Sequence, residues 1–83
     1  MNRRNEMLDA EKIRALREAA GLSLRATAAC VWDEHGVSIS HEQIRRVEEG
    51  LALDLLSSQA SALASVLGVG LSDIQKPEPA RVA

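Results

Sequence analysis

The chain has no tyrosine and no phenylalanine, and Trp32 is its only aromatic residue. Ala, Leu, Val and Ile must therefore supply any core, a palette that suits packed helices better than a sheet. One cysteine, Cys30, excludes an internal disulfide and fits a reducing cytoplasm. No apolar run approaches membrane-spanning length, and MNRRNEMLDAEK has no apolar segment of the secretory kind, so no membrane partner is expected. Strand-like alternation, repeats and low-complexity blocks are missing too. So is any excess of positive charge. The formal net charge is −2, no overall basic field announces a nucleic-acid partner, and such a function must come from local clustering. Neither a glycine-rich phosphate loop nor a Ser/His/Asp set occurs, and an enzyme is not expected.

What remains is 83 residues, 46% hydrophobic and 27% charged. That is a globular composition, and the length allows one small domain with a core near the lower limit for independent stability.

Local signals divide the chain into helices. In LDAEKIRALREAAG, Asp9 can cap a first helix whose apolar stripe is Ile13, Leu16 and Ala20, with Gly21 closing it. Ser23 opens a second, LRATAACVWDE, with Leu24, Thr27, Ala28 and Val31 inward. Ser40 followed by Gln43 matches the capping box and predicts a third helix from residue 41 to about 49, ended by Gly50. Asp54 can cap a fourth running to Leu67, with Leu56, Ala60, Leu63 and Leu67 on its core stripe. LSDIQ adds a further turn, capped by Ser72 or nucleated at Leu71. The expected organisation is a flexible basic arm over residues 1–7, an all-α bundle of four to five helices over 8–75, and a disordered tail over 76–83, where Pro77 and Pro79 fall.

The third helix, within ISHEQIRRVEEG, is written for two environments. At 3.6 residues per turn Ile44, Val47 and Glu48 face the bundle, while Glu42, Arg45, Arg46 and Glu49 face outward with His41 and Gln43 near the tip. A short helix with an outward polar fan, held among other short helices, is the arrangement that reads DNA in the major groove. The chain resembles the Cro/cI (XRE) helix-turn-helix family, the lambda-repressor-like fold, over roughly residues 8–75. IRALREAAGLSLRATAA, then SISHEQIRRVEEG, then LASVLGVGLSDI carry the resemblance, in the family's order. Two departures stand out. The motif usually joins its helices through a turn of roughly 3–4 residues, whereas residues 30–39 here separate Ala29 from the cap Ser40. Either the scaffold helix runs on through Trp32 and Asp33 or the turn carries an insertion, with Trp32 packing the extra segment back onto the bundle. In place of the family's frequent basic residues after the recognition helix, this chain has GLALDLL.

The resemblance assigns base contact to His41, Glu42, Gln43 and Arg46. Chemically, Arg46 can pair with guanine O6 and N7, Gln43 with adenine N6 and N7, and Glu42 with cytosine N4. Phosphate-holding candidates are Ser23 and Arg25 at the start of the scaffold helix, Arg45, and Arg3 and Arg4 on the arm. Arg17 and Glu48 match the family's internal arginine–glutamate pair. CVWDEH carries potential metal ligands in Cys30, Asp33, Glu34 and His35; Cys30 and Glu34 share a helix face, but His35 does not share it cleanly, and no second cluster supplies the missing ligands except the lone His41. No metal or other cofactor is expected. A lone recognition helix covers little sequence, so a homodimer on paired half-sites is expected, with Leu51, Leu53, Leu71 and Ile74 available for self-association. These features lead to a regulator acting on double-stranded promoter or operator DNA. The alternative is a protein-binding module of the same fold, such as the antitoxin of a toxin pair.

Overall fold

Asp9 accepts a hydrogen bond from the Lys12 amide at 3.2 Å and so caps α1, Ala10–Ala19. The same local chemistry starts the next two helices. Ser23 Oγ accepts from the Ala26 amide at 3.0 Å at the head of α2, Leu24–His35, and Ser40 Oγ accepts from the Gln43 amide at the head of α3, His41–Glu48. A fourth helix, α4, spans Ser57–Val66, and a 3-10 turn covers Leu71–Ile74. This computed structural model describes residues 8–51 and 55–75. The arm with Arg3 and Arg4, the residues Leu53 and Asp54, and the tail lie outside the described residues. The protein is an all-α bundle, and among the described residues no helix is long and apolar enough to cross a membrane.

The long connection before α3 is largely helix. α2 continues through Trp32 and Asp33 to His35 and stops at Gly36, whose left-handed φ of 63° turns the backbone out of the helix. The link to α3 is then residues 36–40, and it is pinned at two points. Ile39 is buried in the core, and Gln59 Nε2 of α4 donates to the Ser38 carbonyl at 2.9 Å. Trp32 does not pack this segment down. It is 59% exposed, because the core-facing strip of α2 passes through Thr27 and Val31 and leaves Trp32 on a flank.

α2 packs on α3 and α4, α1 on α3, and the 3-10 turn on both α1 and α4. Ile13, Val31, Ile44, Val47, Leu63 and Ile74 meet in the centre with essentially no exposure. Each such side chain contributes on the order of 1.5–3 kcal/mol by leaving water. Thr27 is the one buried polar residue among those described, and its Oγ1 donates back to the Ser23 carbonyl at 2.8 Å. The ends of the domain are clasped: the Asp9 amide donates to the Ile74 carbonyl at 2.8 Å beside an antiparallel bridge between Leu8 and Gln75.

Several positions differ from the expectation. Ala20 is exposed, since α1 ends before it. Leu56 is not on the α4 stripe but is its N-cap, 65% exposed, and Gln59 Oε1 accepts the Leu56 amide at 2.9 Å in place of a capping side chain on Leu56. The 3-10 turn begins at Leu71, one of the two starts expected, and Ser72 does not cap it. Asp73 Oδ2 accepts from the Gly70 amide at 2.9 Å and holds the turn from within. Ile74 is a candidate for a dimer surface by sequence, yet it is fully buried because that turn folds it back between α1 and α4. Leu71 packs half-buried against the same core.

Candidate functional site

α3 is anchored from below. Ile44 and Val47 are buried, and beside them Glu48, with a side chain 6% exposed, receives Arg17 from α1. Arg17 Nε donates to Glu48 Oε2 at 2.6 Å and Nη2 to Oε1 at 2.9 Å, a two-pronged contact that fixes orientation as well as distance. The remaining prong, Nη1, donates to the Leu22 carbonyl at 2.7 Å where the chain leaves α1. Hydrogen bonding to Glu48 raises the Arg17 pKa above the ordinary arginine range, against the opposing effect of burial. One guanidinium thus joins α1, the turn after it and α3. The role of Leu22 is invisible in the sequence, since any carbonyl could serve.

The outer face of α3 is organised by its own side chains. Arg45 Nη2 donates to Glu42 at 2.7 Å and Nη1 to Glu49 at 2.9 Å, a chain of charges along one exposed strip. The hydrogen bond from Arg45 holds the Glu42 carboxyl below its usual range, and the two carboxylates raise Arg45. Arg45, a candidate phosphate holder, is therefore already neutralised by two acids, and Glu42, a candidate cytosine reader, already accepts a guanidinium. Arg46 differs. It is exposed, and its side chain has no hydrogen-bond or ion-pair partner among the described residues. His41 and Gln43 sit half-buried at the helix start.

Gln43 has a commitment of its own. Its Oε1 accepts from the Ser40 amide at 3.0 Å while its amide donates to Ser40 Oγ, so both halves of the capping box are made. At the start of α2, Ser23 serves as cap and Arg25 stands exposed, without a partner among the described residues. The start of that helix carries the positive end of the helix dipole, which suits an anion. At the far end of α3 the charge reverses. An open depression there is lined by Asp9, Glu11, Glu48 and Glu49 with Ala10 and Gly50, which disfavours a phosphate backbone. Exposed positive charge free of acidic neighbours in that depression is accordingly found at Arg46 and at Arg25.

Of the apolar self-association candidates, Leu51 is 69% exposed just beyond α3. Leu56 stands 65% exposed on the other side of the segment that contains Leu53. Cys30 is a free, half-buried thiol, and no group of three or more His, Cys, Asp or Glu among the described residues is placed to hold a metal ion. No protein-family model matches the chain, and no curated protein matches it.

Proposed function

We propose that this protein is a small bacterial or phage transcriptional regulator of the cytoplasm that binds duplex promoter or operator DNA sequence-specifically. The α2–turn–α3 unit acts as a helix-turn-helix of the Cro/cI (XRE) kind, with α3 in the major groove. One observation carries the reading: α3 is held on its inner side by Ile44, Val47 and the Arg17–Glu48 pair, while its outer side presents Arg46, whose side chain has no partner among the described residues, beside His41, Glu42 and Gln43. A helix fixed this way can hold side chains in register with base edges, which is what discrimination of about 1–3 kcal/mol per base pair requires. Arg25 and the start of α2 take a phosphate on the same reading, as do Arg3 and Arg4. The low net charge implies weak non-specific binding, so affinity rests on a few contacts and on pairing two copies of the domain on half-sites about one DNA turn (~34 Å) apart. Binding would then exclude or recruit polymerase at a promoter.

The test is selection of binding sites from random duplex DNA at low salt. A recurring motif, palindromic at about one-turn spacing, is the expected result. Failure to enrich any sequence sinks the reading.

A second reading is favoured by Trp32, Leu51 and Leu56, three large apolar side chains left more than half exposed. They suit a protein partner, as for an antitoxin of the same fold. A toxin-like reading frame adjoining the gene, together with a stable complex of the two products, would support it.

A further inference from the structure

The capping box restricts what Gln43 can offer a base. A glutamine that pairs with adenine uses both ends of its amide, accepting from N6 through Oε1 and donating to N7 through Nε2. Here Oε1 is turned back onto the Ser40 amide at 3.0 Å. The assignment of oxygen to that side follows from chemistry, because the Ser40 N–H can only donate and an amide nitrogen cannot receive it. The planar amide then directs Nε2 away from the cap, and its two hydrogens have no partner among the described residues. Swinging Oε1 out to adenine would release the Ser40 amide and break one half of the capping box, leaving only the Ser40 Oγ cap on the Gln43 amide.

We propose that Gln43 reads DNA by donation alone and selects guanine, whose O6 and N7 are both acceptors, over adenine, whose N6 amino group would oppose Nε2. This rests on α3 entering the major groove, the function given above. The fan then carries two donors to guanine, Gln43 and Arg46, and no adenine reader at Gln43.

Gln43→Glu separates the roles. A glutamate oxygen can still accept the Ser40 amide and complete the capping box, but it has nothing to donate. Random duplex selection with the wild type should place guanine at one position in each half-site. In the Gln43→Glu variant, that position alone should lose its preference for guanine over adenine by about fivefold or more, while the thermal unfolding midpoint stays close to wild type. The Ser40 amide, followed by hydrogen exchange, should remain protected in the wild-type complex. Adenine at the position that responds to Gln43→Glu, a Ser40 amide that becomes labile on binding, or no responding position at all would each overturn the proposal. If the wild type enriches no sequence, the regulator reading itself fails and this inference falls with it, an outcome distinct from the other three.

Discussion

Glu48 lies with one carboxylate oxygen 2.6 Å from Arg17 Nε and the other 2.9 Å from its Nη2, joining two helices whose contributing residues are 31 positions apart. Both side chains are largely withdrawn from water, at 12% exposure for Arg17 and 6% for Glu48. Removing either strands the other, and Arg17→Ala also orphans the Leu22 carbonyl. We expect Arg17→Ala and Glu48→Ala each to lower unfolding free energy by about 3–5 kcal/mol. Their double mutant should lose much less than the sum, with a coupling of up to about 3 kcal/mol measured by urea unfolding. Additive losses would mean that the pair contributes nothing as a pair.

Glu42 titrates below the ordinary carboxylate range, chiefly because Arg45 donates to it. The folded-state pKa is depressed, so the contact contributes stability above the unfolded value and loses it as pH falls through the folded one. In an NMR titration of the side-chain carboxyl, Arg45→Ala should therefore move the Glu42 midpoint upward. An unchanged midpoint would show that the contact is absent in solution.

On the proposed DNA-binding function, the same network changes the outcome expected for Arg45→Ala. Arg45 is bound on both sides by acids, so deleting it frees two carboxylates near the phosphates rather than removing one phosphate contact. Affinity should drop for every sequence. By contrast, Arg25→Ala should lower the salt slope by about one phosphate with little change in sequence preference. Arg46→Ala should cost about 1–3 kcal/mol against the best site and relax preference at one position. Uniform losses for all three variants would make α3 a phosphate grip and not a reader.

Self-association should depend on Leu51 and Leu56, which stand out into solvent, and not on Ile74. Leu51→Lys with Leu56→Lys should weaken a dimer in sedimentation velocity while far-UV circular dichroism stays unchanged. A charge at Ile74 should unfold the domain outright, and one at Leu71 should destabilise it before it affects any dimer, because both pack into the core. A dimer indifferent to the Leu51 and Leu56 pair would move the interface elsewhere.

The first three helices are legible in the sequence because their signals are local. Asp9, Ser23 and Ser40 each cap within three residues, and the apolar spacing that follows needs no tertiary knowledge. Sequence starts α4 too early because Asp54 has the chemistry of a cap, whereas Gln59 satisfies the helix start from inside and also reaches Ser38. A glutamine three residues past a helix start is the available signal. Ile74 and Trp32 exchange their expected places, the small turn carrying its isoleucine inside and the large aromatic staying out. Neither follows from residue type, because each is decided by which element happens to cover the position. Arg17 and Glu48 are connected only through resemblance, since nothing local links them. The double demand on one Gln43 oxygen is readable in principle, yet the conflict appears only when cap and base contact are asked of the same atom.

The clasp between Leu8 and Gln75, with the Asp9 amide on the Ile74 carbonyl, has a kinetic meaning. It closes a loop spanning almost all the described chain, and the entropy of closing so long a loop is met only once the intervening helices have already shortened it. The clasp should form after the rate-limiting step. Leu8→Ala, which trims a side chain packed on the core, is then expected to speed unfolding and leave the refolding rate nearly unchanged in a stopped-flow chevron followed by circular dichroism. The domain would come apart from its two ends first and assemble from its middle outward.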